Sequence, residues 1–119
     1  MKTTFRSVFL TSDNPAATAR FYSEVAGLSL VQIGSDGQYV YWRVDNDGVQ
    51  LAIHDAKKFA AFAHPARRES NLTHLYFNVH SQEEFLEHLA RLNVKPQSTD
   101  EVVVTVADPD GRRVMFGTA

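Results

Sequence analysis

The sequence predicts an α+β fold: two paired βαβββ modules whose mixed sheets curl into an open cup, with the helices outside. Three observations carry this. Alternating strand patterns and two capped helical segments follow the order strand, helix, strand, strand, strand, and that order occurs twice. The two helix caps, Asn14 and Ser81, lie 67 residues apart, and the hairpin turns beginning at Asp45 and Asp108 lie 63 apart. Each unit holds about fifty residues, too few to bury a good core alone, so the two must pack together. A ferredoxin-like sandwich is the rival α+β arrangement, but it needs only four strands.

Taken in order, Thr4–Leu10 is rich in β-branched and aromatic residues and reads as a strand. Asn14-Pro15 starts a helix, because Asn accepts from unpaired N–H groups at an N-cap and Pro is pre-set for the first helical position. Phe21, Tyr22 and Val25 give that helix an apolar side to about Ala26, and Gly27 stops it. Leu28–Ile33 is a second strand. Gly34-Ser35-Asp36-Gly37 turns into Gln38–Val44, and Asp45-Asn46-Asp47-Gly48 turns again into Val49–His54, predicting a hairpin that pairs Val44 with Val49.

Asp55–Asn71 reads as a linker holding a short helix-prone patch, Phe59–Ala63, and basic pairs on a solvated surface. Leu72–Val79 alternates as a strand. Ser81 and Glu84 form a capping-box pattern, and Phe85, Leu86, Leu89 and Leu92 give the following helix one apolar face. Asn93 and Pro96 end it. Val94–Ser98 is a poor edge strand and Glu101–Ala107 a good one. Asp108-Pro109-Asp110-Gly111 then turns into Arg112–Gly117. The chain is thus expected to be one domain over residues 1–119, with module one at about 1–55, the linker at about 55–71 and module two at about 72–119.

Composition narrows the chemistry. Twelve Lys+Arg against fourteen Asp+Glu argue against a nucleic-acid partner, which would need a surplus of basic residues. No apolar run is long enough to span a bilayer, and none follows the N-terminal charge as a signal core would. The expectation is a soluble, cytoplasmic protein with no membrane partner. The absence of cysteine removes thiol catalysis and thiolate-held metals, leaving five histidines as the strong nitrogen donors.

Period-two alternation sorts the strands into faces. In module one Val40, Trp42, Val44, Val49, Leu51 and Ile53 are expected toward the helix, and Tyr39, Tyr41, Arg43, Gln50, Ala52 and His54 toward the cup. In module two Leu75, Phe77 and Val79 face the helix, and His74, Tyr76, Asn78 and His80 the cup. Around the last turn Val103, Thr105, Val114 and Phe116 are expected on one side. Val102, Val104, Val106, Arg113 and Met115 are expected on the cup side. No Asp or Glu is expected on the cup-facing strand positions, which counts against a two-carboxylate hydrolase. His64 belongs to the linker and His88 to the exposed side of its helix.

Several segments resemble the vicinal oxygen chelate superfamily, which includes glyoxalase I, extradiol dioxygenases, fosfomycin-resistance enzymes and bleomycin-resistance proteins. They are Ser12-Asp13-Asn14-Pro15-Ala16-Ala17 followed by Arg20-Phe21-Tyr22 and Gly27-Leu28, Thr73–Val79, and Val106-Ala107-Asp108-Pro109-Asp110-Gly111 followed by Val114. The resemblance implies the open cup, and in metal-dependent members four ligands on its wall, two from each module. The matching positions here carry Ser7, Ala52, His74 and Met115. Only His74 is an ordinary ligand for a divalent transition metal, and Ala52 has no donor atom.

Two functions follow. The leading one is a small-molecule binding protein similar to bleomycin-resistance proteins, with no cofactor or family-type metal, holding an uncharged or anionic aromatic ligand. Its expected ligand-binding residues are Ser7, Tyr39, Tyr41, Arg43, Gln50, His54, His74, Tyr76, Asn78, Arg113 and Met115. The alternative is a glyoxalase-like lyase or dioxygenase, with His74 as catalytic residue and a divalent metal on His54 and His74. Members resembling this chain in size commonly form homodimers, which the resemblance implies here too.

Overall fold

The computed structural model describes residues 2, 4–61 and 74–119. The described elements are β1 (Ser7–Ser12), α1 (Pro15–Glu24), β2 (Val31–Ile33), β3 (Tyr41–Asn46), β4 (Val49–Asp55), α2 (Ala56–Ala60), β5 (Leu75–Asn78), α3 (Gln82–Arg91), β6 (Ser98–Thr99), β7 (Val103–Ala107) and β8 (Arg113–Gly117). They build two four-stranded sheets with one topology, β1-β4-β3-β2 and β5-β8-β7-β6. In each, the first strand pairs in parallel with the last of its module, and the other pairs are antiparallel. The βαβββ repeat is therefore real, and the sheets stay open as a cup.

Local chemistry sets the helix ends. The Asn14 side chain accepts from the Ala17 N–H and Pro15 follows it; the Ser81 hydroxyl accepts from the Glu84 N–H. Past α1, Gly27 takes a φ of 72°, and the Leu28 N–H reaches back to the Tyr22 carbonyl at 3.0 Å, closing the helix. In the expected linker, Asp55 caps α2 by accepting from the Lys57 and Lys58 N–H groups, so that helix starts before Phe59. His64, Arg67, Arg68 and the first residues of the strand expected from Leu72 lie outside the described residues. The edge strands are shorter than their sequence patterns: β2 starts only at Val31, and β6 is Ser98–Thr99 rather than Val94–Ser98.

Both hairpins differ in register from expectation, with opposite consequences. In the first, Asn46 pairs with Val49 across a two-residue Asp47-Gly48 turn. Both residues have positive φ, 51° and 83°, the backbone that matches strand twist in a tight hairpin. The register moves by two, so the expected faces survive, and Trp42 and Ile53 pair on the helix side. The longer strand also places Asp45 opposite Gln50, so the cup face does carry one carboxylate, exposed at its rim.

In the second hairpin Ala107 pairs with Arg113, leaving a five-residue turn. That one-residue change exchanges the faces of β7. Val104 and Val106 are buried in the core opposite Phe116 and Val114, while Val103 and Thr105 face the cup. The cause is Asp108, whose Oδ1 accepts from the N–H groups of Asp110 and Arg112 at 2.9 Å each and holds the wider turn.

One core joins the modules. Leu10, Phe21, Tyr22, Val25 and Ile53 from module one meet Phe85, Leu89, Val104, Val106, Val114 and Phe116 from module two. A buried polar clasp fixes their angle. The Tyr22 hydroxyl donates to Asp108 Oδ2 at 2.8 Å, and Arg112 Nη1 reaches the same oxygen at 2.8 Å. The Thr18 hydroxyl donates to Asp110 at 2.6 Å, and Arg112 Nη2 donates to the Thr11 carbonyl. His88 is half-buried rather than on the exposed side of its helix as expected: its Nε2 meets the Glu24 carbonyl at 2.7 Å, a further tie between modules.

Candidate functional site

The registers place the cup-facing residues in rows across each sheet. In module one Val31, Arg43, Ala52 and Phe9 lie abreast, flanked on one side by Ile33, Tyr41, His54 and Thr11 and on the other by Asp45, Gln50 and Ser7. In module two Ser98, Thr105, Met115 and Tyr76 lie abreast, and Asn78, Gly117 and Val103 form another row. Arg113 lies beside Ala107, and His74 directly precedes β5 at the same level.

Wall one is aromatic and centred on His54. Its imidazole stacks on Tyr41 at 4.9 Å with planes 9° apart, and packs near the rings of Phe9 (5.0 Å) and Phe59 (5.1 Å). Its Nδ1 shares a 2.8 Å hydrogen bond with the Tyr39 hydroxyl. Its Nε2 is buried with no hydrogen-bond partner among the described residues. Burial in this apolar ring lowers the His54 pKa, favouring the neutral imidazole. Burial, then the nearby Asp55 and Tyr41, push the Tyr39 hydroxyl the other way, keeping it a protonated phenol.

Wall two is polar and open. A cavity of about 730 Å³ is lined by His74, Gln97, Ser98, Thr105, Arg113 and Met115. Tyr76 and Asn78 stand beside it, and both donate to the Ala119 carbonyl, at 3.1 and 3.2 Å. Tyr76 lies so close over Gly117 that a Cβ there would overlap its hydroxyl.

The structure thus gathers Tyr39, Tyr41 and His54 into one cluster, and His74, Arg113 and Met115 into one cavity. Ser7, Gln50 and Arg43 share the first wall in neighbouring rows. Phe9, Phe59, Gln97, Ser98 and Thr105 belong to these walls but were not singled out from sequence. Phe9 was within reach, being two residues from Ser7 on the same strand. Thr105 falls on the helix side if the last turn holds four residues, and Ser98 sits in a strand too short to show alternation.

Residues 7–116 match the glyoxalase-like domain family model. The chain belongs to the glyoxalase-like domain family. No curated protein matches it. Among solved structures, the glyoxalase-like domain resembles a glyoxalase-related enzyme from Fulvimarina pelagi with a TM-score of 0.75 and 21% identity, covering 99% of this chain and 89% of that one. It resembles a lactoylglutathione lyase from Agrobacterium tumefaciens with a TM-score of 0.70 and 20% identity, covering 99% and 95%. A glyoxalase/bleomycin resistance protein/dioxygenase from Nocardioides gives 0.73 and 18%, covering 99% and 84%. At these identities the likeness is one of fold.

In this glyoxalase-like domain the four positions implied as ligands do fall on the cup faces. Ser7 and Ala52 sit diagonally on β1 and β4, and Met115 lies on β8 one row from His74. Their donors are a hydroxyl, nothing, a thioether and an imidazole, a set that does not suit a hard or borderline divalent ion. Among the described residues no three of His, Asp, Glu or Cys gather into a metal-sized group. His54 and His74 belong to different sheets, and one nitrogen of His54 is engaged by Tyr39.

Proposed function

We propose that this glyoxalase-like domain binds a small aromatic molecule, uncharged or anionic, in its cup, without a metal at the family positions. The observation that carries this reading is that the two sheets present unlike open walls. One presents aromatic rings around a neutral imidazole; the other presents hydrogen-bond donors around a roomy cavity. Aromatic surface with a few placed polar groups is what small-ligand sites use. The test is fluorescence titration with planar aromatic compounds, read on the tyrosines and Trp42, alongside calorimetric titration with Zn²⁺, Ni²⁺ and Fe²⁺. Saturable quenching with no stoichiometric metal uptake is expected. Tight one-to-one metal binding that disappears in His74→Ala would overturn it.

One observation favours a second reading, a lyase or dioxygenase using His74 and His54. Burial favours the neutral form of His54, and its Nε2 has no hydrogen-bond partner among the described residues, the form that accepts a proton or a metal. In that case metal binding would depend on both histidines. We also propose that the working unit is a cytoplasmic homodimer, since each wall is an open half-surface with exposed apolar side chains such as Phe9, 52% exposed. Sedimentation at micromolar concentration should give the dimer mass, and a strict monomer would refute it. No helix of the described residues is long and apolar enough to cross a membrane.

A further inference from the structure

The module-two cavity has a chemistry of its own. Two adjacent arginines show it by contrast. Arg112 turns into the clasp, where its guanidinium is neutralised by Asp108 at 2.8 Å and Asp110 at 3.4 Å. Arg113, the next residue, points to the opposite face of β8 and lines the cavity. It has no hydrogen bond or ion pair among the described residues, and no carboxylate lines the cavity with it.

The other polar linings share that condition. The Ser98 and Thr105 hydroxyls, the Gln97 side-chain amide and the His74 imidazole make no hydrogen bond among the described residues. Register explains their convergence. Ser98 lies opposite Thr105, and Thr105 opposite Met115, so two hydroxyls stand abreast at about 5 Å strand spacing. Arg113 is two residues from Met115 on the same face, about 6–7 Å along β8. Met115 supplies an apolar floor. One cation and several neutral donors around an apolar floor, with no counter-charge, suit a planar or tetrahedral oxyanion carried on a hydrophobic body.

We infer that this cavity is an oxyanion subsite, with Arg113 as its cationic anchor and Ser98, Thr105 and Gln97 as donors, taking the carboxylate or phosphoryl group of a small aromatic molecule. The inference rests on the proposed ligand-binding reading and narrows it to an acid. A neutral aromatic is then the weaker guest.

The test is calorimetry on the full chain at low salt with four probes: benzoate, phenyl phosphate, the neutral benzamide and inorganic phosphate. Benzoate or phenyl phosphate should bind about ten- to a hundredfold tighter than benzamide, the range expected for hydrogen bonds to a charged group. Their order separates a carboxylate from a phosphoryl preference. Arg113→Gln should bring the anions down to the benzamide level without changing benzamide. Thr105→Val should weaken only the anions, by several-fold. Arg113 is exposed and unpartnered, so its variant should melt with the parent, which a thermal scan confirms.

Equal affinity for benzamide and the anions, or anion binding indifferent to Arg113→Gln, would overturn the subsite while leaving the aromatic cup standing. Inorganic phosphate bound through Arg113 with no aromatic binding would uphold the subsite and overturn the aromatic cup. Silence from all four probes would overturn both.

Discussion

Removing one oxygen from Tyr22 tests the inter-module clasp. Tyr22 has no exposed surface, and its hydroxyl donates to Asp108, whose side chain is also fully buried. Burial first, then the neighbouring Asp108 charge, raise the Tyr22 pKa far above that of a free phenol, so it is a donor at every working pH. Asp108 accepts four hydrogen bonds: from Tyr22, from Arg112 Nη1, and from the Asp110 and Arg112 N–H groups. Tyr22→Phe deletes one of them but leaves both carboxylate oxygens paired. The loss should therefore be that of one hydrogen bond to a charged group, about 1.5–3 kcal/mol. For a domain of this size that lowers Tm by roughly 5–15 °C. Asp108→Ala should cost more, about 3–5 kcal/mol, because the Tyr22 hydroxyl loses its partner while Arg112, 24% exposed, loses the nearer of its two carboxylates. Urea denaturation followed by Trp42 fluorescence and circular dichroism would measure both, and the double variant should cost less than their sum. A Tyr22→Phe protein within about 0.5 kcal/mol of its parent, where indifferent surface changes fall, would refute the clasp as a stabilising unit.

Gly117→Ala should destabilise by about 1–3 kcal/mol, because its Cβ would overlap the Tyr76 ring; combined with Tyr76→Ala most of that cost should vanish, and additive losses would contradict the contact. Gly48→Ala should cost about 1–2 kcal/mol in denaturant titration, since φ there is 83° and the hairpin admits no other turn. Asp110 has its pKa set by opposing effects: burial raises it, but hydrogen bonds from Thr18 and the Asp13 N–H, with the nearby Ser12 hydroxyl and Arg112 charge, hold it below the ordinary range. Its stabilisation is thus full above the unfolded aspartate pKa of about 3.9 and is lost as pH falls through the lower folded value. Asp110→Asn should be less stable than the parent at pH 7, and the gap should close in acid; a constant gap would contradict this. For His54 the sign is opposite to that of a paired histidine. Its folded pKa is depressed, so the unfolded chain takes up the proton first and stability falls as pH drops below about 6.5. His54→Phe should remove that component of the slope, as urea midpoints at pH 7.5 and 5.5 would show.

What the sequence made legible was the repeat, and what it concealed was the inside of two turns. Asn14, Ser81 and Gly27 announce helix ends through bonds made within a few residues, so the helices could be placed closely. The strand faces depended on turn length. Asp47-Gly48 closes a two-residue turn where four residues had been expected, and a shift of two returns every side chain to its own face. Asp108 widens the other turn by one residue, through its own side chain on the N–H groups at 110 and 112, and β7 inverts. That bond is visible in sequence only as Asp before Pro. The clasp was illegible because its members, Thr18, Tyr22, Asp108, Asp110 and Arg112, lie up to 94 residues apart and read separately as a helix face and a turn.

The repeat extends to the scaffold and stops at the chemistry. The offsets that relate the modules, 67 for the opening strands and 63 for the closing ones, set Ser7 against His74, Phe9 against Tyr76, Gln50 against Arg113, Ala52 against Met115 and His54 against Gly117. In each pair the backbone position is the same, and in every pair but the aromatic Phe9 and Tyr76 the side-chain chemistry differs. A hydroxyl stands against an imidazole, an amide against a guanidinium, a buried imidazole against no side chain at all. Metal coordination would require a donor atom at each of the four ligand positions, and Ala52 supplies none. Selection for a ligand with two unlike ends would produce this divergence, because each wall then answers to a different part of the guest. The aromatic ring around His54 and the uncompensated Arg113 are complementary in that sense. A ligand that engages both must be apolar at one end and an acid at the other.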